Sequence, residues 1–286
     1  MRFAFIETHR DVWPVTRQCG VLKVSPAGYY AWRKRPRSPQ ATRRIELIEA
    51  IRTAHAECRS VYGSPRLTVE LKARGIVVCE NTVARAMREA GLTAVRRKRF
   101  VPKTTDATHE HPVAPNLLDR QFQANLPDQK WAADITNIPT QEGWLYLAGV
   151  IDLCSRKIVG WAMADQMKTR LVTDALTMAI TARRPASGLL HHSDRGSQYA
   201  SDAYRELLDS HGMVYSMSRR GDCYDNAAME SFWSTLKREG VNDQRYETRQ
   251  MAMASIFDYI EVFYNRTRRH SALNYQSPEA FEAALN

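Results

Sequence analysis

Residues 131–164 read WAADITNIPTQEGWLYLAGVIDLCSRKIVGWAMA, and this stretch decides the fold class. Residues 130–138 form a candidate strand, Gln141-Glu142-Gly143 has the composition of a hairpin turn, and WLYLAGVIDL and KIVGWAMA follow as two apolar strands around Cys154-Ser155. Beyond them the pattern changes. A helix is expected from about Thr169 to Arg183, then a short strand LLHHS, a helix from Ser201 stopping at Gly212, a strand VYSMS and a helix beginning near Asn226. Three antiparallel strands followed by alternating helices and strands predict an α/β fold built on a mixed sheet.

Upstream of the sheet the punctuation is helical. Val15 to Leu22 forms one amphipathic segment, and a second restarts at Ser25-Pro26, where a capping hydroxyl precedes proline at the first helical position. A further helix runs from Arg43 to Cys58 with Ile45, Ile48 and Ile51 at helical spacing. Ser64-Pro65 repeats the cap signature, and Asn81 is expected to open a helix, TVARAMREA, closed by Gly91. On that last helix Arg85 and Arg88 lie three apart and point outward together while Val83 and Met87 face inward, the layout of a helix that enters a DNA major groove. A small bundle with a solvated arginine face is the competing reading. The expected division is therefore two helix-turn-helix-like segments at 1–40 and 41–95, a basic linker at 96–124, a mixed-sheet core at 125–240 and a helical extension at 241–286.

The charge distribution supports that division. The 286 residues carry 41 Lys+Arg against 31 Asp+Glu, a net charge of +10, but residues 1–105 hold 22 basic and 8 acidic side chains and the remainder is net acidic. Such polarity suits an N-terminal half that meets a polyanion and a C-terminal half that concentrates carboxylates. The run Arg96-Arg97-Lys98-Arg99 reads as a linker that tracks phosphates without reading sequence or, equally, as an unstructured spacer. Arg219 and Arg220 read as a loop over a DNA backbone or as ordinary surface. Arg266, Arg268, Arg269 and His270 read as phosphate contacts or as the solvated end of a helix. The hydrophobic fraction of 44% and charged fraction of 25% exclude a wholly disordered or collagen-like chain. No signal-peptide core and no long apolar run are present, so a cytoplasmic protein without a membrane partner is expected. The five cysteines form no C-x-x-C pair and read as buried thiols.

Three carboxylates stand out from this background. Asp134 sits inside a strand-like run, where its short polar side chain gains nothing from a pleated apolar surface. Asp194 follows the strand LLHHS at its carboxyl end, where open α/β sheets place ligands, although a turn aspartate fits as well. Glu230 has no Lys or Arg three or four positions away, so the usual helical ion pair does not explain it, although a solvated glutamate fits as well. Asn226, Glu230, Ser234 and Lys237 share one helix face beside an apolar stripe of Met229, Phe232, Trp233 and Leu236. Carboxylates from separate elements gathered at one sheet end suit hard divalent ions, and two ions ~3.5 to 4 Å apart can serve an in-line phosphodiester displacement. His192 falls on the strand face of Asp194, where a hydrogen-bonded supporting role fits Mg²⁺ chemistry better than ligation.

The segments WAADIT, HHSDRGSQY and SMSRRGDCYDNAAMESFWSTLK, with GYYAW, YGSPR and YNRTRRHSALNYQSPEAF, closely resemble the integrase-core subunit (OrfB) of bacterial insertion-sequence transposases of the IS3 family, relatives of retroviral integrases. The resemblance covers nearly the whole chain. It includes the 35 residues between Asp194 and Glu230 and the Lys seven beyond Glu230. It implies an RNase H-like core, a mixed five-stranded sheet with flanking helices, preceded by all-helical modules. It also implies Asp134, Asp194 and Glu230 as a metal-binding catalytic triad for two Mg²⁺ ions, with Mn²⁺ as substitute, and Lys237 as a contact to the transposon end. The implied activity is nicking at terminal inverted repeats and strand transfer into double-stranded DNA. Water and then a DNA 3′-hydroxyl act as nucleophile, without a covalent protein–DNA intermediate. A homo-oligomeric synaptic complex and an upstream helix-turn-helix and leucine-zipper segment (OrfA) are the implied partners. No His/His/Cys/Cys zinc arrangement is present. A DNA-binding regulator without catalysis and a nuclease that cuts without joining are the alternatives.

Overall fold

In the computed structural model, residues 1–36, 38–95, 113–219, 223–242 and 244–285 are described. The chain begins with a helix that hydropathy did not announce, α1 (Arg2–Thr8), followed by α2 (Val15–Leu22) and α3 (Pro26–Lys34). Ile6, Cys19 and Tyr29 form the small core these three share, and the Tyr29 hydroxyl donates to Glu7 Oε2 at 2.5 Å. Ser25 caps α3 by accepting the Gly28 N–H at 3.0 Å, with Pro26 in the first turn. Next come α4 (Pro39–Glu57), α5 (Ser64–Ala73) and α6 (Glu80–Glu89). Two expected starts move. Gly63, not Ser64, is the N-cap of α5, and α6 opens at Glu80 behind Cys79 rather than at Asn81. Val83, Ala86 and Met87 are buried on α6, while Arg85 and Arg88 are exposed. Cys79 is exposed and Cys58 half-buried, which corrects the reading of every cysteine as a buried thiol.

The sheet consists of β1 (Lys130–Thr140), β2 (Gly143–Asp152), β3 (Ile158–Ala164), β4 (Leu190–Ser193) and β5 (Val214–Met217) in the order β3-β2-β1-β4-β5. β1, β2 and β3 pair antiparallel, whereas β4 joins β1, and β5 joins β4, in parallel. Helices cover both faces, which is why β1 is apolar at successive positions rather than only at alternate ones. Trp131, Ala133 and Val150 pack with α7 (Thr169–Arg183) and α8 (Asp202–Ser210), and Ala132, Ile138 and Leu147 lie in the core that includes α9 (Ala227–Leu236) and α10 (Arg249–Phe257). Gly160 on β3 admits the α7 backbone: a Cβ there would stand 2.2 Å from the Ala175 carbonyl oxygen and 2.7 Å from Ala179 Cβ.

The C-terminal extension is a brace. α10 runs into a π-helical stretch, Asp258–Tyr264, and the chain ends with α11 (Pro278–Ala283). Arg268 and Glu239 pair at 2.6 Å with side chains 3% and 1% exposed. Arg269 donates from Nε to Glu70 on α5 at 2.8 Å and from its backbone N–H to the Tyr62 hydroxyl at 2.7 Å. Neither residue is the free surface cation that the sequence suggested. Arg268 is sealed inside the fold, where an unpaired charge is costly, and Arg269 ties the extension to the second helical unit.

Residues 113–122 are also bound to the core. The Leu117 and Leu118 N–H groups donate to Ser216 Oγ at 2.8 and 3.1 Å, and Leu118 is buried. Asp225, with no exposed surface, accepts from Asn116 Nδ2 at 2.9 Å, Arg120 Nε at 3.2 Å and Arg219 Nη2 at 2.8 Å. The Arg219 guanidinium holds the Asp225 carboxyl far below its ordinary value.

Two stability measurements follow from these contacts. Gly160→Ala, which drives a methyl into the α7 backbone, is expected to lower unfolding free energy in urea by about 3 kcal/mol or more. Asp225→Asn is expected to cost about 2 kcal/mol at pH 7, in the range of hydrogen bonds to charged groups, because its two arginines are half exposed. Asp225 titrates lower folded than unfolded. Its stabilisation is therefore complete above the unfolded pKa near 3.9 and lost as pH falls below it, so the gap between wild type and variant should narrow below about pH 4.

Candidate active site

Asp134 lies near the middle of β1, on the face that α9 covers. In the parallel pairing with β4, Ala132 stands opposite His192. Asp194 follows β4 directly, beyond the paired residues, and its charge acts on Asp134. Asp194 leaves the end of β4 and accepts the Gly196 N–H at 2.9 Å through Oδ1. On the other side of Asp134, the antiparallel register places Gly149 of β2.

α9 closes the site from above. Its N-cap, Asn226, is 5% exposed and donates from Nδ2 to the Ala133 carbonyl at 3.1 Å. Trp233 donates from Nε1 to Asp134 Oδ2 at 3.0 Å. Glu230 falls between these two tethers in sequence. Met229, Phe232, Trp233 and Leu236 are all buried, so the apolar stripe docks the helix and leaves Glu230 at its border. Lys237 follows at the start of a π-helical stretch, Lys237–Val241.

The electrostatics converge on Asp134. Burial, then the charge of Asp194, then that of Glu230 push its carboxyl well above the usual aspartate range, against the opposing hydrogen bonds from Ile135 N–H and Trp233. Glu230 is exposed, and partial desolvation is what raises it. Burial lowers Lys237, opposed by the negative charge of Asp134, so the ammonium senses the same carboxylate. Tyr199 is 2% exposed, feels Asp134 and Asp194, and its hydroxyl has no hydrogen-bond partner among the described residues. Among those residues no group of three His, Cys, Asp or Glu side chains is placed to hold a metal ion. The charges of Asp194 and Glu230 both act on Asp134, although the three carboxylates are not drawn together. An all-oxygen anionic set of this kind suits a hard divalent cation.

The remaining expected site residues separate from this group. His192 is fully buried, with Nδ1 against Ser216 Oγ at 2.9 Å and Nε2 against Ser218 Oγ at 3.1 Å, so both ring nitrogens are engaged by side chains that are not ligands. Arg219 is half exposed and bound to Asp225. Arg85 and Arg88 belong to α6 in the second helical unit. Arg96, Arg97, Lys98, Arg99 and Arg220 lie outside the described residues. The sequence reading did not single out Trp233, Gly149 or Asp225. The Trp233 indole was counted only as apolar, and its N–H is the signal that hydropathy leaves out.

An "Integrase core domain" family model matches residues 124–223, a second of the same description matches 211–278, and an "HTH-like domain" model matches 42–100. A Shigella sonnei protein, "Insertion element IS600 uncharacterized 31 kDa protein", is 46% identical, covering 92% of this chain and 96% of that one. "Transposase InsF for insertion sequence IS3A" of Escherichia coli (strain K12) is 43% identical, covering 99% of this chain and 98% of that one. The HTLV-2 integrase catalytic core domain in complex with magnesium is similar at 13% identity with a TM-score of 0.43, covering 56% of this chain and 99% of that one. By near-full-length identity to these insertion-element proteins, the chain belongs to the IS3 family of integrase-core transposases.

Proposed function

We propose that this chain nicks DNA at the terminal inverted repeats of an insertion element and transfers the freed strand, with Asp134, Asp194 and Glu230 as the carboxylates that hold two Mg²⁺ ions. One observation carries the reading: Asp134 is half-buried mid-strand with the charges of Asp194 and Glu230 upon it, and its two oxygens are held by the Ile135 N–H and the Trp233 indole. When bound, the ions supply activation of a hydroxyl nucleophile and stabilisation of the leaving 3′-oxygen. The protein's own groups do the remainder. Asn226 and Trp233 fix α9 against β1, so Glu230 is held near the two aspartates. Lys237, half-buried beside them, offers a cation to a phosphate of the transposon end. Arg85 and Arg88 present a basic face on α6 for double-stranded DNA.

Purified protein, labelled inverted-repeat DNA and Mg²⁺ provide the test. Nicked and joined products are expected, and Asp134→Asn or Glu230→Gln should lower both by at least about 10²-fold while leaving DNA binding intact. Cleavage without joining would point to a nuclease, and binding alone to a regulator. Retained joining by either variant would contradict the triad. For the basic face, the double variant Arg85→Ala/Arg88→Ala is expected to weaken binding and to reduce the slope of log affinity against log salt by about 2, which a filter-binding titration from 50 to 200 mM salt measures.

A further inference from the structure

We infer that Trp233 is a positioning residue of the carboxylate site, fixing the orientation of Asp134 and the placement of the Glu230 helix through one hydrogen bond. The inference rests on the metal-site reading above and deepens it. The indole N–H donates to Asp134 Oδ2 at 3.0 Å, and the Ile135 backbone N–H donates to Oδ1 at 2.8 Å, so both oxygens of this carboxylate are aimed. Trp233 stands three residues after Glu230 on α9, close to one helical turn. Whatever fixes the indole therefore also sets how far Glu230 can stand from Asp134. Asn226 holds the preceding turn to Ala133, which makes the Trp233 bond the second point of attachment and the one that stops α9 pivoting about its N-terminus.

The opposing strand is shaped for this contact. Gly149 is the register partner of Asp134, and a Cβ there would meet Trp233 Cη2 at 2.9 Å and Met229 Cε at 3.3 Å. The missing side chain lets the ring lie against the strand pair with its N–H on the carboxylate. An indole placed only for packing would not need its nitrogen over the one carboxylate that β1 carries. As a donor without acceptor capacity, the indole N–H suits an ionised oxygen and sets the carboxylate plane before any cation arrives.

The test measures Mn²⁺ binding to the full-length chain by electron paramagnetic resonance, alongside thermal unfolding in EDTA. Trp233→Phe keeps a ring and removes the donor; it should weaken Mn²⁺ binding ~10-fold or more. Gly149→Ala keeps the indole but crowds it, and should weaken binding in the same direction. Phe232→Leu is the packing control. Its ring is 2% exposed and lies edge-on to Tyr264 at 4.7 Å, so it should lower the unfolding midpoint without changing Mn²⁺ affinity. Wild-type affinity in Trp233→Phe would overturn the inference, as would an equal loss in Phe232→Leu. Asp134→Asn separates the two layers. If wild type binds no Mn²⁺, or Asp134→Asn binds it as wild type does, the metal site itself fails and the role of Trp233 falls with it.

Discussion

An aspartate held in the central strand of a sheet covered on both faces is the constraint around which the catalytic half is arranged. Asp134 is half-buried and feels the charges of two more carboxylates, and both of its oxygens accept hydrogen bonds, from the Ile135 N–H and the Trp233 indole. Each neighbour answers to that demand. β4 runs parallel to β1 and brings Asp194 alongside, β2 offers a glycine where a side chain would obstruct, and α9 arrives with one donor for the carboxylate and one for the adjacent carbonyl.

The helical and catalytic halves are joined by polar ties as well as apolar packing. Arg269 reaches Glu70 and Tyr62, Arg59 pairs with Asp258 at 2.6 Å, and Asp225 gathers Asn116, Arg120 and Arg219 beside the turn that leads into α9. The positive charge of the chain is therefore divided. Some arginines brace the fold against buried carboxylates, and others, such as Arg85 and Arg88, remain exposed. A charge count along the sequence cannot separate these classes, because the partner of Arg269 lies 199 residues away.

Much of the architecture is legible from short-range pattern. The three antiparallel strands, α7 and the two short parallel strands all show in apolar runs and turn residues, because each element buries its own stripe. α1 did not show, since seven residues are too few for periodicity and its burial depends on Tyr29 and Cys19 from later helices. For the site, Asp134 and Glu230 were conspicuous as polar residues without local compensation. Trp233 and Asp225 were not, because their roles are set by partners across the fold. Arg268 was misjudged for the same reason: its burial depends on Glu239, 29 residues earlier.

The most direct measurement is a crystal structure of the chain with DNA and Mn²⁺, with the metal located by anomalous scattering. The proposed mechanism predicts two peaks ~3.5 to 4 Å apart between Asp134, Asp194 and Glu230. Manganese bound elsewhere, or Glu230 turned away from both aspartates with DNA in place, would contradict it.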